Sequence, residues 1–128
     1  MIAEFRDYLK TLNVADYYYI GKIEQSKECV IGVYADTPTR RVEAVGKASS
    51  YGTFGIRILL HWNKNAKQTE EQALSLYERI RYTQDVQMGD VFVEYLDLDY
   101  DAPIFVGTDQ NGVYEYVIQG TIYYRKDQ

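Results

Sequence analysis

The sequence predicts an α+β protein in which a mixed or mainly antiparallel β-sheet is packed by two main helices. Segments with alternating apolar residues outnumber the two segments with helical periodicity. Strands and helices also do not alternate regularly along the chain, as a doubly wound parallel sheet would require. No linker or internal repeat interrupts the pattern, so we expect residues 1–128 to form a single domain.

The first third of the chain predicts a helix and then one or two strands. Apolar residues recur at helical spacing at Ile2, Phe5, Leu9 and Leu12. Asn13 is a plausible end for this helix. Residues 17–23 fit either a short strand or an extended connection. Residues 28–35 alternate as a strand does, and we expect Cys29 to be buried there.

The middle of the chain predicts an irregular segment followed by a central strand. Residues 36–53 contain turn-forming residues, the paired Arg40 and Arg41, and the loop-favouring Gly46, Ser49, Ser50 and Gly52. Residues 53–62 then alternate strictly, with Arg57 and His61 on the reverse face. The core face of this strand comprises Phe54, Ile56, Ile58, Leu60 and Trp62.

The second helix is predicted to start at Thr69, because residues 69–72 match a capping box with two acidic residues in the first turn. Its apolar stripe consists of Ala73, Leu76, Tyr77 and Ile80. Gly89 and Asp90 then lead into a strand predicted over residues 91–100.

The chain ends in a predicted β-hairpin with strands 104–106 and 113–125. Asn111 and Gly112 in the connecting turn are expected to supply positive φ angles. The second strand has a core face and a mixed face, and the mixed face suits water or another subunit. The core face is Tyr114, Tyr116, Ile118, Gly120, Ile122 and Tyr124; the mixed face is Val113, Glu115, Val117, Gln119, Thr121, Tyr123 and Arg125.

Composition limits the function classes. A net charge of -5 argues against a general nucleic-acid binder, which needs clustered basic residues. A single cysteine excludes an internal disulfide, and no apolar run is long enough for a membrane span. The N-terminus lacks a secretory pattern. The 14 tyrosines fit either an ordinary Tyr-rich sheet or a surface that contacts other proteins.

Motifs for catalysis or metal binding are incomplete in this sequence. Asp97, Asp99 and Asp101 have the spacing that opens a calcium loop, but the required glycine is missing and Thr108 replaces the final acid. In a strand these aspartates share one face, which predicts a solvated acidic edge. One histidine excludes multi-histidine zinc sites. A nucleophile built on Cys29 and His61 is disfavoured, because both residues lie in predicted strands.

We therefore predict no enzyme, no catalytic or metal-binding residues and no cofactor. A pair of carboxylates for sugar chemistry stays open, although no pair stands out. Two further function classes stay open beside a structural role. One is a small ligand-binding or regulatory module with a concave sheet face, and the other, less favoured, is a hydrolase.

Four segments resemble a family of small minor capsid proteins of tailed phages and prophages. They are residues 102–119 with Tyr123 and Tyr124, residues 41–47, residues 51–62 and residues 69–78. The resemblance implies an α+β tail terminator or head–tail connector that forms a ring, usually of six subunits, on the tail tube. It also implies a virion protein assembled in the cytoplasm of the bacterial host. Its partners are then further copies of itself, the tail-tube protein and a head-completion protein, with no sequence-specific nucleic acid, no membrane and no catalytic residues.

Two surface hypotheses follow for such a ring. Asp97, Asp99 and Asp101 would line the lumen, where an acidic surface repels passing DNA. The residues expected to contact neighbouring subunits or partners are Arg40, Arg41, Tyr114, Tyr116 and Tyr123. For each charged group the alternative is an ordinary solvated charge.

Overall fold

The computed structural model describes residues 1–36 and 51–126, and these contain two helices and seven strands. The helices are α1 (Ile2–Thr11) and α2 (Ala66–Arg81). The strands are β1 (Tyr17–Ile20), β2 (Val30–Asp36), β3 (Tyr51–His61), β4 (Gln84–Met88), β5 (Val91–Leu98), β6 (Ile104–Thr108) and β7 (Tyr114–Lys126).

All seven strands belong to one sheet with the order β1-β2-β3-β7-β5-β4, and β6 also pairs with β7. Strands β1 and β2 are parallel, whereas every other pair is antiparallel. The sheet is therefore mixed and mainly antiparallel, which confirms the predicted α+β class. β3 and β7 pair along their whole shared length at the centre of the sheet, as the alternation in residues 53–62 predicted.

The core lies between one face of the sheet and the two helices. The predicted stripe of α2 is buried there together with Phe5 and Leu9 of α1. The sheet contributes alternate residues of β3 and β7, so the predicted core face of β3 is confirmed, and that of β7 is confirmed from Tyr116 onward but not at Tyr114. These sheet residues include Ile56, Ile58, Leu60, Ile118 and Ile122, with Phe54, Trp62, Tyr116 and Tyr124 packed partly buried against them.

The first helix ends as predicted, because Asn13 adopts a left-handed φ of 53° directly after it. The following residues 17–20 form β1, which settles the choice left open for this segment. The expectation for Cys29 is wrong. β2 begins only at Val30, and Cys29 precedes it with a φ of 59° and a half-buried side chain.

The second helix begins four residues earlier than its capping box predicts, because the N-cap is Asn65 and not Thr69. Asn65 is the N-cap, and its side-chain oxygen accepts a hydrogen bond of 3.0 Å from the backbone N–H of Gln68. Thr69 lies inside the helix, fully buried, and its hydroxyl donates to the carbonyl of Asn65 at 2.9 Å. The threonine is bonded within the helix because a buried hydroxyl needs a partner.

Two features of the following strands differ from prediction. β4 was not predicted, since only Val86 and Met88 of its five residues are apolar. β5 ends at Leu98 instead of continuing to residue 100. Asp99 and Asp101 therefore lie in the bend between β5 and β6, and only Asp97 is in a strand. The three aspartates do not share one strand face.

The final hairpin is present, but its turn has a different geometry from the predicted one. In the turn Gly112 has a positive φ angle of 83° and Asn111 does not, whereas Gly107, with a φ of 115°, lies in β6 at its register shift against β7. The turn is fixed by Asp109, whose backbone N–H donates to the carbonyl of Val113 at 3.0 Å. In the described part of the chain, none of the helices is long and apolar enough to cross a membrane.

Candidate functional site

A buried cluster of ionisable residues lies at one end of the central strands. His61 of β3 is completely buried, and its Nδ1 lies 2.9 Å from Oε2 of Glu115. The two residues are direct partners across the β3–β7 pair. The other ring nitrogen, Nε2, lies 3.2 Å from the carbonyl oxygen of Gln25. His61 thereby ties the connection between β1 and β2 to the central strands.

Asp109 approaches the same histidine from the hairpin turn, with its Oδ2 3.9 Å from His61 Nε2. Its other oxygen, Oδ1, accepts the backbone N–H of Asn111 at 2.8 Å and that of Val113 at 3.0 Å. The hydrogen bond from Val113, helped by that from Asn111 and by His61, holds the pKa of Asp109 below its ordinary value of 3.8. The ionised carboxylate thus holds the turn in place by accepting two of its backbone N–H groups.

The chemistry of this cluster favours structure over catalysis. Cys29, which the sequence disfavoured as a nucleophile, is half-buried, and burial, helped by the nearby Asp16 and Glu28, raises the pKa of its thiol. A nucleophilic cysteine requires the opposite shift. Within residues 1–36 and 51–126, no three His, Cys, Asp or Glu side chains are grouped so that they could hold a metal ion.

An exposed aromatic patch lies where β6 and β7 meet the start of α2. We call Phe105, Tyr114 and Tyr116 the β6 aromatic patch. The ring of Phe105 lies 5.3 Å from that of Tyr116 and 6.2 Å from that of Tyr114, both in tilted contact. Phe105 and Val106 are more than half exposed, at 56% and 54%. Exposed apolar groups of this kind mark surfaces that bind other proteins.

The β6 aromatic patch borders an open depression of about 640 Å³ at the N-terminal end of α2. Lys67 and Glu70 of the helix line its opposite wall. Burial, reinforced by Glu70, raises the pKa of the Tyr116 hydroxyl above its ordinary value of 10.0. At neutral pH this hydroxyl is therefore a hydrogen-bond donor at the rim of an apolar surface.

A second aromatic surface lies between β4, β5 and β7. The rings of Tyr95 and Tyr123 stack in parallel, with centroids 4.5 Å apart and planes 9° from parallel. Tyr123 is the buried ring of this pair, whereas Tyr95 is 46% exposed. An open cleft of about 540 Å³ is lined by both rings. Tyr123, predicted as a contact residue, thus supports the exposed Tyr95.

The three aspartates predicted to line the lumen lie at the end of β5 and in the bend that leads to β6. Tyr77 of α2 fixes this bend, since its hydroxyl donates to the carbonyl oxygen of Tyr100 at 2.6 Å. Asp97 and Asp101 line a shallow depression of about 220 Å³ together with Arg81. Asp101 is exposed, and Asp97 and Asp99 are partly exposed.

The predicted contact residues fall into separate places. Tyr114 and Tyr116 lie together in the β6 aromatic patch, and Tyr123 lies in the cleft beside Tyr95. Arg40 and Arg41 lie outside the described residues. Sequence reasoning missed Phe105, Tyr95, Asp109 and the pairing of Glu115 with His61. The sequence did indicate that Phe105 and Tyr95 could form a contact surface, because both are large aromatic residues in predicted strands.

A sheet that carries exposed aromatic surfaces, with its buried ionisable cluster bonded to the fold, favours a structural protein that contacts other chains. Comparison with known proteins then shows which family the chain belongs to. The family model of bacteriophage tail terminator proteins matches residues 8–125. The chain belongs to this family and is a structural component of the phage tail, with other tail or head proteins as its partners.

Two further comparisons add little. No curated protein sequence matches the chain significantly. A solved structure that carries no functional name is similar in fold, with a TM-score of 0.47 and 11% sequence identity. The similarity covers 98% of this chain and 89% of that one, and no conclusion about function rests on it.

Proposed function

We propose that this protein ends the tail tube by assembling into a closed ring of six copies on the last ring of tube protein. The match of residues 8–125 to the tail terminator family carries this proposal. In this role the chain acts by fitting against other proteins and performs no catalysis. Its cleft and depressions are open surfaces, which suits protein contacts.

The proposed partners are the tail-tube protein on one face of the ring and a head-completion protein on the other. The ring then joins tail to head in the virion, after assembly in the cytoplasm of the bacterial host. We also propose that residues 1–128 act as one domain, which is supported by the single sheet on which both helices pack.

A closed ring needs two different, mutually complementary surfaces on each subunit. The β6 aromatic patch is one candidate, since it places the half-exposed ring of Phe105 on a strand at the edge of the sheet. Strand β1 offers a second edge, at one end of the sheet order. Contacts through Tyr114 and Tyr116 would bury apolar area, which contributes roughly 25 cal/mol per Å².

The acidic bend formed by Asp97, Asp99 and Asp101 is proposed to face the lumen of the ring. Negative charge there repels the DNA backbone and keeps the DNA from binding while it passes. Replacement of all three by Asn should slow DNA ejection in assembled virions without affecting the joining of heads and tails. Unchanged ejection, together with a ring structure that places the three residues outside the lumen, would remove this role.

Tail-tube growth in vitro tests the proposed function. Purified tube protein from the same phage is allowed to polymerise with and without this protein, and tube lengths are measured by negative-stain microscopy. We expect added protein to stop elongation and to appear as extra density at one end of each tube. Phe105→Ala should weaken capping at least tenfold, because it removes an exposed ring from the β6 aromatic patch.

A matched control uses an exposed aromatic residue elsewhere on the surface. Tyr82, directly after α2, is 69% exposed, and Tyr82→Ala should leave capping unchanged. Tubes that grow to the same length with and without the protein would contradict the proposal. A monomer that gains thermal stability with a small molecule and does not bind tubes would instead favour the ligand-binding alternative.

A further inference from the structure

Both ring nitrogens of His61 face hydrogen-bond acceptors. Nδ1 lies 2.9 Å from Oε2 of Glu115, and Nε2 lies 3.2 Å from the carbonyl oxygen of Gln25. A carbonyl oxygen and an ionised carboxylate accept hydrogen bonds but cannot donate them, and a neutral imidazole carries only one N–H group. Both contacts are therefore hydrogen bonds at the same time only if the ring carries two protons and a positive charge.

A second carboxylate faces the same ring. Oδ2 of Asp109 lies 3.9 Å from Nε2 of His61, and the Asp109 side chain is only 6% exposed. In the described part of the chain no hydrogen bond reaches this oxygen, whereas Oδ1 accepts the backbone N–H groups of Val113 and Asn111. Those two bonds hold the pKa of Asp109 below its ordinary value, so the carboxylate is ionised at neutral pH. A buried, ionised oxygen without a donor is costly unless a positive charge lies close to it.

The charged groups around His61 favour the protonated ring. β7 contributes Glu115, and the turn between β6 and β7 contributes Asp109. β2 contributes the apolar, fully buried Val30 as the direct strand partner of His61, and the β1–β2 connection contributes an uncharged carbonyl. The basic residue on the same face of β3 is Arg57, four residues and roughly 13 Å away along the strand. Two carboxylates beside a fully buried ring make the imidazolium the better compensated form.

The second proton of the ring ties the β1–β2 connection, residues 21–29, to the central strands. The backbone N–H groups of Gly21 and Cys29 anchor the two ends of this connection to carbonyls in β2 and directly after β3. Its middle meets Nε2 of His61 through the carbonyl of Gln25. The Nε2–H group thus holds the part of the connection that lies between the two anchored ends.

Loss of one ring proton removes one of the two hydrogen bonds. Glu115 is fixed opposite His61 by the register of β3 and β7, and its bond is the shorter one. Gln25 accepts through a neutral carbonyl and is an exposed residue. Because hydrogen bonds to charged groups are the stronger kind, the remaining N–H stays with Glu115 and the Gln25 carbonyl is released.

From this geometry we propose that His61 is doubly protonated and acts as a latch. Its Nε2–H closes the middle of the β1–β2 connection onto the central strands, and loss of that proton at higher pH opens the connection. Glu115 and Asp109 are the carboxylates that stabilise the charge. The connection directly follows β1, so its opening changes the surface next to that edge of the sheet. The inference goes beyond the proposed ring and does not depend on it.

Nitrogen NMR of the histidine ring tests the charge. His61 is the only histidine in the chain, so labelling with ¹⁵N-histidine gives the ring nitrogens of one residue. We expect both nitrogens to carry a proton at neutral pH. A ring with a single proton at neutral pH, including a neutral ring that accepts a hydrogen bond from a protonated Glu115, would overturn the proposal.

A matched pair of variants tests which groups stabilise the charge. Asp109→Asn removes the negative charge but keeps an oxygen that can accept the N–H groups of the turn. It should lower the pH at which the ring loses its second proton by about 1 unit. The control Asp90→Asn changes an exposed aspartate in the turn between β4 and β5 and should leave this midpoint unchanged. Equal midpoints in the two variants would contradict the proposed arrangement of charges.

Backbone order parameters measured over the same pH range test the latch itself. Below the midpoint the amides of residues 24–28 should be as ordered as a rigid backbone, with S² of about 0.85, and above it they should fall below about 0.6. Gly89 and Asp90 form a control turn and should keep their values. Unchanged order in residues 24–28 while the ring loses its proton would overturn the latch. These measurements use the isolated chain, so their outcome is independent of ring formation.

Discussion

Nδ1 of His61 lies 2.9 Å from Oε2 of Glu115, and the two residues face each other across the central strands β3 and β7. The histidine is fully buried, and the side chain of Glu115 is 15% exposed. This contact joins the most buried polar side chain of the central strands to the long strand of the final hairpin. A buried polar group of this kind depends strongly on its partner.

We predict that Glu115→Ala lowers the free energy of unfolding by about 1–3 kcal/mol, because it leaves Nδ1 of His61 buried without its partner. Urea unfolding at neutral pH measures this loss. The control is Glu94→Ala, which breaks the surface pair with Arg125 and should cost less than about 1 kcal/mol. Equal losses in the two variants would show that the His61–Glu115 contact does not contribute more than a surface ion pair.

The low pKa of Asp109 predicts a stability that depends on acid pH. The folded state lowers this pKa below 3.8, so the carboxylate stabilises the fold fully above that ordinary value. The contribution is lost as the pH falls through the lower, folded-state value. Unfolding midpoints measured from neutral pH down into this acid range should therefore fall less steeply in Asp109→Asn than in the wild type.

The exposed Asp90 provides the control for this pH dependence. Asp90→Asn should keep the steep acid slope of the wild-type protein. If Asp109→Asn and the wild type lose stability in parallel below about pH 4, the hydrogen bonds to Val113 and Asn111 do not favour the ionised carboxylate.

The position of the N-cap predicts a further stability effect. Asn65→Ala removes the side-chain oxygen that accepts the Gln68 N–H and should cost about 1 kcal/mol. Thermal unfolding followed by circular dichroism checks this loss. The control is Lys67→Ala, two residues further along in the first turn, which changes a side chain that is 88% exposed and should alter stability by less than about 0.5 kcal/mol. If Asn65→Ala leaves the thermal stability unchanged, the helix does not start at this N-cap.

Close packing at Gly120 predicts that even one methyl group is poorly tolerated. A Cβ at this position would lie 2.7 Å from the backbone carbonyl oxygen of Asp97 and 2.9 Å from Cδ2 of Leu98. Gly120→Ala should therefore destabilise the protein by about 1–3 kcal/mol and push β5 away from β7. Gln119→Ala, at the next position, serves as the control in the same urea titration, and a similar small effect in both would argue against tight packing.

Much of the fold follows from local patterns in the sequence. Strict alternation in residues 53–62 and 113–125 identified the two central strands and their core faces, because a half-buried strand must alternate. The α2 stripe was equally clear. β4 escaped prediction because Gln84, Asp85 and Gln87 leave few apolar residues to alternate. The start of α2 was misplaced because Asn65 and Thr69 both carry capping side chains, and only the folded chain selects between them.

The site residues depend more on tertiary structure. The pairing of His61 with Glu115 is set by the register of β3 against β7, which no local pattern encodes. The stack of Tyr95 on Tyr123 likewise requires a register shift at Glu94 in β5. Cys29 was expected in a strand, yet the chain turns at this residue with a positive φ before β2 begins.

Counting the subunits at the tip of a capped tail tube tests the central claim most directly. Electron cryomicroscopy of tubes grown with the protein would give both the number of copies and the surfaces in contact. We expect six copies in a closed ring, joined head to tail by two different surfaces of each subunit. A bare tube end, or a single copy bound beside the tube without contacts to other copies, would contradict it.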